Sequence, residues 1–162
     1  SAVTPFGTIL LYVEANERSL DAARYAIVLA KSHNAVLHVV YVVNETILEE
    51  LLHARVFLRD EVLSLKRDLE ADGRHYLSFV EKLAKKKGVS FDTQILRGVV
   101  YEQVVNKADE IGATLLVLGE IEECLSRRDA TFNESERIMC AADCPVLVVK
   151  GRELVKSLYD SL

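Results

Sequence analysis

Four short stretches of this chain are apolar almost without interruption: Thr8–Val13, Ala35–Val43, Thr114–Gly119 and Pro145–Val149. A strand with one face in water alternates polar and apolar residues, whereas a strand buried on both faces does not. Runs of this length suit strands better than helices. Pro145 opens the last run, where a missing N–H is tolerated. Val89–Leu96 is a fifth strand, and its alternation of Phe91, Thr93 and Ile95 places it nearer an edge. Between the runs the period lengthens. Leu20, Ala23, Ile27 and Ala30 share one face of a helix over Leu20–Ser32, with Asn16 or Ser19 as its cap and Asn34 at its close. Tyr101, Val104, Val105, Ala108 and Ile111 form a second stripe, stopped by Gly112. Strand, helix, strand in repetition predicts a parallel sheet with helices on both faces and right-handed crossovers.

Residues 44–88 break that rhythm, being too long for one crossover helix. Val62, Leu65, Leu69, Asp72, Tyr76, Phe79 and Leu83 step by three and four, a heptad-like seam with one polar slot. The seam is expected to pack on the sheet rather than form a coiled coil, and Gly73 beside the slot to kink or interrupt it. Residues 45–58 read as a separate short helix carrying Leu48, Leu51 and Leu52. The tail from Gly151 to Leu162 places Leu154, Val155, Leu158 and Leu162 at helical spacing, as a cap on the same domain or a contact for a second subunit. With no repeat, linker or low-complexity tract, residues 1–162 are read as a single domain with residues 150–162 as its helical tail.

Composition narrows the functional classes. Only 7 Gly and 2 Pro occur in 162 residues, which favours long regular elements. A formal charge of −5 argues against nucleic acid as a partner. The basic run Lys85-Lys86-Lys87, preceded by Lys82, sits where a helix should end, with Gly88 as its C-cap. No apolar run approaches a membrane span, so no membrane insertion is expected. The N-terminus lacks a signal-peptide pattern. Cys124, Cys140 and Cys144 are odd in number and form no CxxC pair; together these features predict a reduced, cytoplasmic setting.

In an open parallel sheet, ligands bind at the carboxyl ends of the strands. The candidate stretches are therefore Glu14–Asn16, Val43–Glu45, Arg97–Val99 and Gly119–Glu123. Taken alone, Glu14 is read as a helix-capping acid, with ribose or metal contact as alternatives. Enzyme templates fail in turn: there is no GxSxG elbow, no GxxxxGK[ST] and no GxGxxG after any strand. His38 lies within an apolar strand and reads as a hydrogen-bonded core imidazole. His53 and His75 lack a His or Cys at i+4, and Cys140 and Cys144 lack further close ligands, so no zinc site is expected. Cys124 follows Glu120, Glu122 and Glu123, surroundings that disfavour a thiolate. No catalytic residue and no metal site emerges.

Several local strings, in order, resemble the universal stress protein family. Ile9-Leu10-Leu11-Tyr12-Val13-Glu14-Ala15-Asn16, followed by Ser19-Leu20 and Ala22-Ala23, is similar to that family's first strand, acidic turn and first helix. Leu37–Val40, Ile95–Gly98 with Glu102, Ile111–Gly119 and Cys144–Val149 resemble its later strands and their flanks. The likeness spans most of the chain except residues 44–75 and the tail. It implies an α/β fold with an open five-stranded parallel sheet, Rossmann- or flavodoxin-like and akin to the adenine nucleotide alpha-hydrolases, in strand order 3-2-1-4-5. It also implies a non-enzymatic regulatory or stress-response protein that pairs as a homodimer. The pairing surface would be the Val146–Val149 edge strand or the C-terminal tail.

Nucleotide-binding members of that family carry a G-x2-G-x9-G-[ST] loop, whose glycines let backbone N–H groups approach phosphates. Counted from Gly119, the later positions hold Glu122, Phe132 and Asn133, so the spacing is kept while the residues differ. Glu122 puts a carboxylate where the backbone should approach, Glu120 and Glu123 add to it, and Phe132 crowds the helix entry. One like-charge pair at ~4 Å costs roughly 4 kcal/mol at an effective dielectric of about 20. Glu14 stands where the family usually has aspartate, and Ala15-Asn16 replace a smaller pair. The expectation is a residual pocket lined by Glu14, Val39, Gly98, Leu118 and Gly119, with Glu122, Phe132 and Asn133 at the loop. It would hold no cofactor and would not bind ATP in the family's manner. The alternatives are ATP with Mg²⁺ held through Arg127 and Arg128, or a regulatory module with a protein partner such as a membrane transporter.

Overall fold

A computed structural model describes residues 4–55, 57–121 and 134–162. At its centre β1 (Thr8–Tyr12) pairs with β2 (Val36–Asn44) on one side and β4 (Leu115–Leu118) on the other. Being covered on both faces as well, Ile9, Leu10 and Leu11 are fully buried, which is why that stretch shows no alternation. β3 (Phe91–Gly98) and β5 (Val146–Val148) form the edges of a wholly parallel sheet in the order β3-β2-β1-β4-β5. The order expected from the family resemblance is the one observed.

Successive residues of the central strands serve two cores. Ile9, Leu11, Leu37, Val39 and Tyr41 face α1 (Glu17–His33), α3 (Arg59–Lys86) and α6 (Arg152–Asp160). Leu10, Tyr12, Val40 and Val42 face α4 (Val100–Ile111) and α5 (Glu134–Ala141). α1 is capped as its sequence suggests. Asn16 accepts a hydrogen bond from the Ser19 N–H at 2.9 Å, and Asn34 closes the helix in the left-handed region at φ 51°. The Ser19 hydroxyl accepts from the Glu14 N–H at 2.8 Å and so fixes the turn leaving β1.

The long segment after β2 is two helices, α2 (Glu45–His53) and α3, and here the structure corrects two expectations. α3 runs through Gly73 without interruption. Gly73 is there for space: a Cβ would lie 2.4 Å from Cδ1 of Tyr41 and 2.6 Å from its Cε1. The buried stripe keeps Val62, Leu65, Leu69, Tyr76 and Leu83 of the heptad seam but departs from it at two positions. Asp72 and Phe79 are exposed, and Gly73, Leu77 and Val80 replace them. An unsupercoiled helix advances 3.6 residues per turn, so its inner face drifts away from a strict seven-residue repeat.

The tail is α6, and it folds back on the same chain. Val155 and Tyr159 are buried, the Tyr159 hydroxyl donates to the Leu83 carbonyl at 2.7 Å, and Arg152 Nε meets Asp21 Oδ2 at 2.8 Å. Leu154, Leu158 and Leu162 face outward, so the inner ridge is Val155–Tyr159 rather than the leucines. His38 is hydrogen-bonded as expected, but it is partly exposed: Nδ1 lies 2.9 Å from Oδ2 of Asp92, its register mate on β3. Among the described residues, no helix is long and apolar enough to cross a membrane.

Candidate functional site

A cavity of about 400 Å³ opens at the carboxyl ends of β1 and β2. This is where the topology provides one. The chain crosses over one face of the sheet to reach β2 and over the other to reach β4, leaving a crevice beside β1. β1 contributes Tyr12 and the following Glu14, while Tyr41–Asn44 come from the end of β2. The walls are apolar: Ile47 from α2, Leu65 and Leu69 from α3, and Val100 from the start of α4. Glu134, the first residue of α5, closes the ring.

The polar groups are few and of one sign. Glu14 Oε1 accepts from the Tyr12 hydroxyl and Oε2 from Asn16 Nδ2, both at 3.3 Å. Oε2 of Glu134 is buried and has no hydrogen-bond partner among the described residues. Burial pushes the Glu134 carboxyl above its ordinary pKa and the charge of Glu14 adds to this, against the opposing pull of Arg137. Burial also holds the Tyr12 hydroxyl well above the usual phenol range, reinforced by Glu14 and Glu134. Tyr41 shifts the same way, through burial and then Asp72 and Glu14. No Lys, Arg or His lines the cavity among the described residues.

Of the residues expected to form the pocket, Glu14 is in it. Val39 is not: it lies two positions before Tyr41, fully buried among the α1 and α3 side chains. Leu118 is likewise fully buried, on the opposite face. Gly98 ends β3 at φ 132° and packs against Gln103. Gly119 abuts the start of α1, where a Cβ would stand 3.1 Å from the Arg18 carbonyl carbon and oxygen and 3.2 Å from the Ser19 nitrogen. Glu122, Phe132 and Asn133 lie outside the described residues, as do Cys124, Arg127 and Arg128. Glu120 faces Lys150 at 3.8 Å. Beyond the stretches Glu14–Asn16 and Val43–Glu45, the lining has no plain sign in the sequence. Tyr12 and Tyr41 look like ordinary strand residues, and Leu65 and Leu69 stood out only as a helix stripe. Glu134 gives no local sign that it turns inward. Val43–Glu45 was flagged by its position after a strand, and Val43 and Asn44 do line the cavity.

Among the described residues no group of three or more His, Cys, Asp or Glu side chains is placed to hold a metal ion. Cys140 is exposed, and burial raises the pKa of the Cys144 thiol.

A profile of the universal stress protein family matches residues 5–150. The chain belongs to the universal stress protein family. Universal stress protein MJ0531 of Methanocaldococcus jannaschii is 32% identical over 142 residues, covering 88% of this chain and 81% of that protein. Among solved structures, universal stress protein UspA of Lactobacillus plantarum superposes with a TM-score of 0.71 at 19% identity, covering 90% of this chain and 98% of that one. The universal stress protein of Archaeoglobus fulgidus in complex with dAMP gives a TM-score of 0.59 at 17% identity, covering 91% and 100%. At these identities the structural matches establish the fold, which is that of the family.

Proposed function

We propose that this universal stress protein is a non-enzymatic regulatory protein of the cytoplasm, a single domain over residues 1–162, that does not bind ATP in the family's manner. The observation that carries the reading is the sign of the cavity: both charged groups that line it, Glu14 and Glu134, are carboxylates. Glu122 and Phe132, where the nucleotide-binding loop has glycines, point the same way. A triphosphate entering here would meet like charge on two sides and find side chains where backbone N–H groups should approach. Calorimetric titration with ATP and Mg²⁺ tests the reading. Heat too small to fit is the expected result, and saturable binding in the micromolar range overturns it.

Pairing as a homodimer is part of the proposal. β5 is an edge of the sheet, its β-branched Val146 and Val148 half-buried in the single chain, and such an edge is commonly covered. Sedimentation should then give about 36 kDa, twice the 18.1 kDa of one chain. A second reading, nucleotide binding through a divergent loop, is favoured by the dAMP complex of the Archaeoglobus relative and by the cavity's position at the strand ends. Arg127 and Arg128 would then meet the phosphates, and Arg127→Ala would abolish any ATP binding found.

A further inference from the structure

We infer that the cavity at the ends of β1 and β2 receives a small organic cation, a protonated amine carried on an apolar or aromatic body. The inference rests on the reading that the loop does not hold phosphate, and goes beyond it by naming the ligand class.

The body follows from the walls. Val42, Val43, Leu65, Leu69 and Val100 give the amine's carbon frame apolar contact, and a cavity of about 400 Å³ is in the size range that encloses a bicyclic ring system. Tyr12 and Tyr41 also line the cavity, and aromatic rings attract cations. The charge follows from the acceptors. A buried carboxylate oxygen without a donor is unfavourable, and Oε2 of Glu134 is in that state among the described residues. The two bonds that Glu14 accepts are long at 3.3 Å, leaving lone pairs for a stronger donor. An ammonium between the two side chains would give both carboxylates charge-assisted hydrogen bonds and relieve the repulsion between them.

The titratable and charged groups around Glu134 come from four elements and their flanks. Tyr12 and Glu14 come from β1 and its turn, Tyr41 from β2, Asp72 through Tyr41 from α3, and Arg137 from α5 itself. Arg137 also lies over the Tyr101 ring, 5.6 Å from its centroid. Because burial raises the Glu134 carboxyl, the site gains its second negative charge at a higher pH than a free glutamate would supply it. Amine affinity should climb as that charge appears.

Calorimetric titration of the full chain near neutral pH with three indoles of matched shape tests this. Tryptamine is the cation, tryptophol its neutral alcohol and indole-3-propionate the anion. Tryptamine should bind about tenfold or more tightly than tryptophol, with the anion weakest. Glu134→Gln and Glu14→Gln should each erase most of the preference for amine over alcohol while the melting curve stays cooperative. Equal affinity for tryptamine and tryptophol, or no tryptamine binding up to millimolar concentration, refutes the inference. That comparison uses the unsubstituted protein, so it stands whether or not the variants fold. Micromolar binding of ATP with Mg²⁺ in the same assay would refute the loop reading. Silence from both ATP and tryptamine would refute only the amine.

Discussion

Gly73→Ala should be coupled to the identity of residue 41. In isolation, replacing a mid-helix glycine by alanine favours the helix by about 1 kcal/mol. Here the new methyl would sit 2.4 Å from Cδ1 of Tyr41, with Cε1 at 2.6 Å and Cγ at 3.1 Å. These are ring atoms of a nearly buried side chain that has no free end to swing away. Overpacking of this kind costs about 1–3 kcal/mol, so Gly73→Ala should be neutral to destabilising by about 2 kcal/mol. Tyr41→Val removes the ring, at about 2–4 kcal/mol of its own. In that background the methyl has room, and Gly73→Ala should stabilise by up to about 1 kcal/mol. Urea denaturation of the four proteins gives the coupling directly, expected at about 1–3 kcal/mol. At this chain length each 1 kcal/mol corresponds to about 2–4 °C in Tm, so thermal melts provide a second reading. If Gly73→Ala stabilises both backgrounds equally, to within about 0.5 kcal/mol, the steric account of this glycine is wrong.

On α6, Val155→Ala should cost about 1–3 kcal/mol, whereas Leu154→Ser, 64% exposed, should stay within about 0.5 kcal/mol in the monomer; denaturant midpoints separate the two. At alkaline pH the raised Tyr12 hydroxyl sets the sign. The folded chain keeps a proton that the unfolded chain releases above about pH 10, so stability is full below that pH and is lost as pH rises towards the folded value. Tyr12→Phe should blunt the decline in urea midpoint without abolishing it, since Tyr41 and Tyr159 shift the same way; parallel curves for the two proteins would exclude Tyr12 as a contributor. Glu134 is also raised, so its contribution to stability is full below the ordinary glutamate value of about 4.3 and is lost as pH rises through the higher folded value. The Tm of Glu134→Gln relative to the parent protein should therefore rise over that interval, and a flat difference would count against burial of the charged form.

The sheet was legible in the sequence because burial on both faces removes polar residues from a strand, and β1, β2 and β4 carry that mark plainly. The helix periods of α1 and α4 and the caps Asn16, Asn34 and Gly112 were equally readable, since capping is local chemistry. Region 44–88 was less so. A heptad and a 3.6-residue repeat differ by only one position over its length, and the reason for Gly73 lies on another strand, at Tyr41. The same limit applies to the cavity. Glu14 could be located because it follows a strand directly. Val39 was expected in the pocket but lies short of the end of β2, and Leu118, although the last residue of β4, is buried in the core on the α4 and α5 face. Glu134 and the α3 leucines reach the site only through tertiary packing.

Gly119 carries a lesson for reading this family's motif. A Cβ there would press on the backbone at the start of α1 at 3.1–3.2 Å, so packing in the fold favours glycine at this position whether or not a ligand is bound. A match at the first position of the loop therefore says little about what the protein binds. A tally of matched positions that weights it equally with the rest will overcount nucleotide-binding members. The diagnostic weight belongs to the later positions, and to the charge of the side chains that share the crevice with them.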